Sequence, residues 1–249
     1  MAITASDLIL YGSTGRPTSD TTVTGGGIDL TARPITTPMS SAEIVELISS
    51  SSGDTRTVTM VYRDTDGASL TWSPTLAGTS AVPISTGTPQ HIMSLTLSSA
   101  STTATVTLRM SSGAAIHSVN PTETDAFRMF QFALSSAAGV VRYEKLFLKN
   151  VSTDADLSNA NIALTSDAST QYTLALSGGK DTSSEWATRI TVPTGLTFVD
   201  TSSGVDVPSS TLGSSEAIGV VIEQTLAANA TEGWPTILIE ASGGTVVST

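Results

Sequence analysis

The sequence predicts an all-β fold, with two β-sandwich domains (Ig-like or jelly-roll-like) that follow an extended N-terminal arm. Ser and Thr supply 78 of the 249 residues, 37 Ser and 41 Thr. Thr and Val favour strands, while the helix-favouring residues Glu, Lys, Arg and Gln are scarce. Short alternating apolar runs, separated by turn residues, recur along the chain, and this spacing is typical of a β-sandwich.

Residues 1–40 are predicted to form the arm. They hold one short apolar run, Leu8–Tyr11, and then a stretch rich in Gly, Pro and Thr. Such a stretch has too few large apolar residues for a core of its own. Gly25–Gly27 indicates a flexible hinge.

Residues 41–118 are predicted to form the first β domain. The run SSAEIVELI fits either a short helix with a capping box or a strand. Val58, Met60 and Tyr62 alternate with smaller or polar residues, and Asp66-Gly67 indicates a hairpin turn after them. We expect Leu95, Leu97, Val106 and Leu108 to point inward, and Ser98–Thr102 to join their two strands as a second hairpin.

Residues 119–249 are predicted to form the second β-sandwich. The run VNPTETDAFRMFQFA at its start suggests one or two helical turns. About seven strand-like segments then follow at spacings of roughly 10–20 residues. They are VVRYEKLFLKN, NANIALTS, TQYTLALSG, WATRITVP, the hairpin-like LTFVDTSSGVDVP, AIGVVIEQTLA and WPTILIEA, with SGGTVVST as a loose end or edge strand.

The composition excludes several classes of protein. The net charge is −11 and the chain has 11 Lys and Arg in all, so it lacks the clustered cations that bind nucleic-acid phosphates. It has no Cys, hence no disulfide and no thiolate chemistry. No apolar run is long enough for a membrane span, and the N-terminus lacks the features of a signal peptide.

The motifs with possible chemistry are weak. His91 and His117 are the only two His residues, and we interpret both as ordinary polar surface or edge residues. SGGKDTS (177–183) fails the phosphate-loop pattern, so we predict a turn there. Asp154 and Asp156 have the spacing of a calcium loop, although an Asp-rich turn explains them more simply. No catalytic residue, cofactor or metal site is predicted.

Three Trp residues keep a second function open. Trp72, Trp186 and Trp234 could stack on sugars, as in a carbohydrate-binding or adhesin module that binds a receptor or lies on a bacterial surface. Each lies in or beside a predicted strand, which favours packing in a core or at a domain edge. A hydrolase with carboxylates brought together in space is a third reading, but no sequence feature asks for it.

Charge is concentrated in the stretch RYEKLFLKN (142–150), which holds three of the 11 cations. Leu146 and Leu148 lie on one face of this strand while aromatic residues lie on the other, so it should be covered on both faces. We predict that it forms an interface with neighbouring subunits. An ordinary covered strand is the alternative. The candidate interface residues are Arg142, Tyr143, Glu144, Lys145, Phe147 and Lys149.

Several segments together resemble a known group of proteins. They are AITASDLILYGS leading into GGG/ID, the strand RYEKLFLKN after a Gly, LSNANIAL, TRITVPTGLTFVD and LGSSEAIGVVIEQTLAA. This set resembles a loosely defined group of virion structural proteins of tailed bacteriophages and prophages. The likeness covers the arm and about residues 120–240, while residues 41–118 look like an extra domain.

The resemblance implies a function as well as a fold. It implies a non-enzymatic protein of the virion, assembled in the host cytoplasm, that decorates or assists the capsid or tail. Its partners would be other virion proteins, such as major capsid or tail proteins, and further copies of itself. Repeated copies would supply avidity, and arms or edge strands could extend a neighbour's sheet. The motifs hold no catalytic residues, so none are inferred.

Overall fold

The computed structural model describes residues 2–37, 39, 42–130, 138–166, 171–180, 183–200, 204–229 and 238–247. These residues confirm the all-β class. Their only helical segments are two short 3-10 turns, Ala5–Asp7 and Pro208–Ser210.

Nineteen strands lie within the described residues. In chain order they are β1 Leu8–Gly15, β2 Thr24–Asp29, β3 Ala32–Pro34, β4 Val45–Ser49, β5 Val58–Asp64, β6 Ser69–Trp72, β7 Val82–Pro83, β8 Pro89–Leu97, β9 Val106–Met110, β10 Ala115–Val119, β11 Asp125–Phe127, β12 Val140–Asn150, β13 Ala155–Ser166, β14 Tyr172–Lys180, β15 Glu185–Trp186, β16 Val205–Asp206, β17 Thr211–Leu212, β18 Ala217–Leu226 and β19 Leu238–Val247.

The chain divides into two compact units, one of which interrupts the other. The inserted unit is Leu30–Met129, and the split unit combines Met1–Asp29 with Phe130–Thr249. These boundaries differ from the predicted ones at residues 40 and 118. The prediction used continuous segments, whereas the split unit joins strands that are far apart in sequence.

The inserted unit contains two sheets whose strands supply one buried core. One sheet has the order β10-β9-β4-β7 and the other β3-β11-β8-β5-β6. Alternation along each strand sends every second side chain inward. The core therefore includes the side chains predicted to point inward, and it joins both sheets: Val45, Leu47, Val58, Met60, Tyr62, Trp72, Ile92, Leu95, Leu97, Val106, Leu108, Ile116 and Val119.

Local predictions in the inserted unit had mixed outcomes. The ambiguous SSAEIVELI run contains strand β4, and the hairpin at Asp66-Gly67 is confirmed by the antiparallel pairing of β5 with β6. The hairpin at Ser98–Thr102 is wrong, because β8 pairs with β5 and β11 whereas β9 pairs with β4 and β10. Residues 98–105 instead carry the chain from one sheet to the other. The described part of VNPTETDAFRMFQFA contains strand β11 and no helix; residues 131–137 lie outside the described residues.

The split unit also contains two sheets. Its larger sheet has the order β14-β18-β12-β1-β2-β15. In its smaller sheet, β13 pairs with the short strands β16 and β17 and also with β19. The predicted strand at WATRITVP is reduced to β15, since Thr188–Thr191 closes a turn through a backbone hydrogen bond of 3.0 Å.

Residues 1–29 do not form the expected separate arm. β1 lies between β12 and β2, pairing Leu8 with Asn150 and Gly12 with Asp29. The expected hinge, Gly25–Gly27, is part of β2. Gly25 has φ +103°, and a Cβ there would lie 2.6 Å from the Ser184 carbonyl oxygen. Gly25 and Gly26, whose φ angles are +103° and +83°, therefore serve close packing and a left-handed backbone rather than flexibility.

Candidate functional site

The charged strand β12 lies near the middle of the larger sheet of the split unit. It pairs along one side with β18, from Val140 to Lys149, and along the other with β1, from Leu146 to Asn150. Alternation places Arg142 and Glu144 on one face of the strand and Tyr143, Lys145 and Phe147 on the other. This confirms that the strand is covered on both faces.

Four side chains form what we call the ionic cluster: Asp20, Arg142, Glu144 and Arg189. Arg142 donates two hydrogen bonds to the Asp20 carboxylate, of 2.7 Å from Nε and 2.8 Å from Nη2. Arg189 reaches Asp20 through Nη1 at 3.3 Å and Glu144 through Nη2 at 2.6 Å. The other Glu144 oxygen accepts the backbone N–H of Phe130 at 2.9 Å.

Burial determines the electrostatics of the ionic cluster. Arg189 is 0% exposed and Arg142 2%, so both guanidinium groups need carboxylate partners to offset lost hydration. Hydrogen bonds from Arg142 lower the pKa of Asp20. The pKa of Glu144 is raised, because burial outweighs the attraction of Arg189. The cluster has two cations and two anions, so its charges balance. Its contacts connect the loop at Asp20 and the turn at Arg189 to strand β12.

The opposite face of β12 centres on Lys145. Its Nζ donates to the carbonyl oxygens of Gly26 at 2.9 Å and Ser184 at 3.3 Å, and it lies 4.9 Å from the centre of the Phe147 ring. Burial lowers the pKa of Lys145 to about 8, and the nearby Glu185 carboxylate opposes this shift.

A cavity of about 500 Å³ borders Lys145 in the split unit. Its walls include Ser177, Trp186, Leu196 and Val221. They combine apolar side chains with a few polar groups, which is the usual make-up of a small-molecule site. Chemically the cavity could hold a small polar ligand.

The structure does not present the candidate interface residues on the surface. Arg142, Tyr143, Glu144, Lys145 and Phe147 are at most 5% exposed. Burial raises the pKa of the Tyr143 phenol to about 12, and a hydrogen bond with Glu223 adds to the shift. Lys149 is half-buried and donates to the Ser215 carbonyl oxygen. The cations are used inside the chain, where the sequence reading had expected contacts with neighbouring subunits.

Sequence reasoning missed Asp20 and Arg189. Asp20 fell in the supposed arm, and Arg189 in a supposed strand. One signal was available: a chain this poor in cations places Arg142 on a predicted covered strand, which requires a carboxylate partner elsewhere.

The other candidate residues that the structure describes are buried or accept hydrogen bonds within the chain. Trp72 and Trp186 are 6% and 8% exposed, as core packing predicts, and Trp234 lies outside the described residues. Asp154 and Asp156 accept hydrogen bonds from Ser152 Oγ at 3.1 Å and from the Ser214 N–H at 2.8 Å.

His91 and His117 lie in β8 and β10. The turn predicted at 177–183 differs from the structure, because β14 continues to Lys180; residues 181–182 lie outside the described residues. Within the part of the chain that the structure describes, no group of three His, Cys, Asp or Glu residues could hold a metal.

No helix among the described residues is long and apolar enough to cross a membrane. No protein-family model matches the chain, and no curated protein sequence matches it either.

Proposed function

We propose that the chain is a non-enzymatic structural protein of a tailed-bacteriophage particle, an oligomeric decorating or accessory protein that binds neighbouring capsid or tail subunits. The sequence resemblance described above suggests this role. The observation that supports the proposal is that the buried charged side chains of the ionic cluster pair with one another within the split unit. Enzyme sites gather perturbed ionisable groups around an open cleft. In the split unit one such group, Lys145, borders the cavity, whereas the four side chains of the ionic cluster join two loops to a sheet.

We also propose that each unit is a β-sandwich. In the inserted unit, both sheets contribute side chains to one core, as in two sheets packed face to face. In the split unit, one face of β12 and β18 is buried along its length, and so are the alternating apolar residues of β13. Two such faces suit a sandwich of the two sheets.

Immunogold electron microscopy tests the proposed function. Antibody against the whole chain is applied to a lysate of the phage or prophage-bearing strain that encodes it. We expect gold on heads or tails. Particles without gold, in a lysate that contains the protein, would reject the proposal.

If residues 1–30 formed a separate arm, deleting them would test whether the arm is needed for incorporation into phage particles. The structure makes this deletion unsuitable as a test. The deletion removes β1 and β2 from the larger sheet. Loss of incorporation would then follow from loss of fold.

A carbohydrate-binding module is the second candidate, favoured by the cavity that Trp186 borders. Thr191 is exposed and also borders the cavity, so Thr191→Trp should fill it without disturbing the core. Thr153→Trp is the matched control, because Thr153 is exposed and is neither a lining residue nor next to one in sequence. Glycan binding by the native chain and by Thr153→Trp, but not by Thr191→Trp, would support this alternative. No binding by the native chain would remove it.

A further inference from the structure

The sheets of this protein differ in how their edge strands are protected. An unpaired edge offers a row of backbone donors and acceptors to any other strand, and proteins blunt it with short strands, Pro or bulges. The described edges of three sheets follow this rule. β15 has two residues, β7 two with Pro83, β3 three with Pro34, β6 four and β10 five.

The one longer edge among those three sheets is covered near its N-terminal end, and its pairing with β18 shifts register between Leu176 and Lys180. β14 has nine residues, and Val199 bridges to Leu174. Two backbone hydrogen bonds join them, from the Leu174 N–H at 3.1 Å and from the Val199 N–H at 2.9 Å.

β19 is the exception. It has ten residues and, among the described strands, pairs with β13 alone. The register of this pair shifts between Ser158 and Asn161 and between Leu164 and Ser166, but the extra residues lie on β13 and not on β19. It contains no Pro, no Lys and no Arg, and a single charge at Glu240. None of its described side chains is buried, and Leu238 is 55% exposed.

We propose that β19 is a self-association edge, at which a second copy of this chain adds its own β19 in antiparallel orientation. The two smaller sheets would then form one continuous sheet across a two-fold axis. This inference names a surface for the oligomer of the proposed function, and it rests on that function for its biological role.

Charge and symmetry favour a second copy in this orientation. Parallel stacking in register would set each Glu240 beside its equivalent at about 4.8 Å, and like charges in that position are unfavourable. An antiparallel pair centred on Ser242 instead places Glu240 opposite Gly244 of the second copy. The antiparallel arrangement also closes after two chains, because the same edge is used by both.

Sedimentation of the full chain tests the inference without any phage particle. Each copy carries a net charge of −11, so the measurement is made at physiological salt, where repulsion between copies is screened. We expect the mass to rise from 25.5 kDa to twice that value as concentration rises. Amide hydrogen exchange should slow in β19 over the same range.

A matched pair of variants locates the contact. Ser242→Lys sets two cations opposite each other at the axis, and should weaken association by roughly fivefold or more. Ser99→Lys makes the same charge change on an exposed residue of the inserted unit, and should associate like the native chain.

A monomer at every concentration would overturn the inference. A dimer that is indifferent to Ser242→Lys, with β19 amides unprotected, would overturn it too. If the chain dimerises through β19 but the antibody labels no phage particle, this inference stands and the proposed phage function is rejected. Gold-labelled particles with a monomeric chain in solution would do the reverse.

Discussion

At the scale of single residues, Arg189 has the largest expected effect on stability. It is fully buried and contacts both Asp20 and Glu144. Arg189→Met removes the ion-pair partner of the buried Glu144 carboxylate, which must then stay charged without that partner or take up a proton. We therefore expect a loss of roughly 3–5 kcal/mol in unfolding free energy, measured in urea. Adding Glu144→Leu should restore much of the lost unfolding free energy, because the buried carboxylate without a partner is then removed.

Arg109→Met is the control for that loss. Arg109 pairs with Glu46, but its side chain is 31% exposed, and partly exposed pairs contribute about 1 kcal/mol or less. Equal losses from the two Arg variants would contradict the role given to burial.

Gly219 in β18 leaves room for side chains from the two neighbouring strands, Ser177 of β14 and Lys145 of β12. A Cβ at Gly219 would lie 2.6 Å from Ser177 Oγ and 2.8 Å from Lys145 Cε. Gly219→Ala should therefore cost roughly 1–3 kcal/mol, as overpacked cores do. Gly27→Ala serves as the control, since nothing lies within 4 Å of its Cβ position. A thermal melt of both variants that shows equal shifts would contradict this account.

At the scale of elements, β8 and β10 make the inserted unit sensitive to acid. Burial, aided by nearby Arg residues, lowers the pKa of His91 and of His117 from 6.5 to about 4. The folded state favours neutral imidazole, so this stability is complete above about pH 6.5 and is lost as the pH falls towards 4. Asp54, whose pKa is lowered to about 2, loses its contribution only below that window.

Urea titrations across this pH range, followed by Trp72 fluorescence, measure the effect. Replacing the other two Trp residues by Phe makes Trp72 the single reporter of the inserted unit. Changing both His residues to Gln should flatten the dependence. An unchanged slope in that variant would assign the acid sensitivity to other groups.

β1 is the element on which the larger sheet depends. It supplies the partner of β12 from Leu146 to Asn150 and holds β2 in place. We expect a chain without residues 1–29 to lose cooperative unfolding of its split unit, while the inserted unit keeps its Trp72 signal. Retained cooperativity in both units would show that β1 is dispensable.

Sequence patterns predicted strands better than they predicted partners. Alternation at Val58, Met60 and Tyr62 identified β5 and its buried face, because that signal is local. The pairing of Leu8 with Asn150, and of Arg142 with Asp20, joins residues more than 120 positions apart. Such contacts leave no local trace, so β1 was predicted to belong to an arm, and Arg142 and Glu144 were predicted to belong to an interface.

At the scale of the whole molecule, the ends of the insertion lie close together. Asp29 and Leu146 are both opposite Gly12, one on each side of β1, so they are about 10 Å apart. The backbone N–H of Phe130 donates a hydrogen bond to the carboxylate of Glu144, and Glu144 lies two residues before Leu146 in β12. Neighbouring ends of this kind are where one domain can be inserted into another.

Replacing residues 30–129 by a short Gly/Ser linker should therefore leave the split unit folded. Circular dichroism and a single cooperative urea transition would measure this, with residues 30–129 expressed alone as the companion sample. A linker variant without a cooperative transition would show that the split unit needs the insertion in order to fold.

The interruption of one unit by the other also orders events on the ribosome. β1 leaves the ribosome before its partner β12, which follows after 124 further residues, and β18 comes later still. All of the inserted unit is synthesised in between, so it can fold while β1 remains unpaired. During synthesis β1 is therefore an exposed, unpaired strand that can associate with other chains. Chaperones or slowed translation should improve the yield of native chain more than substitutions on the surface of the folded protein.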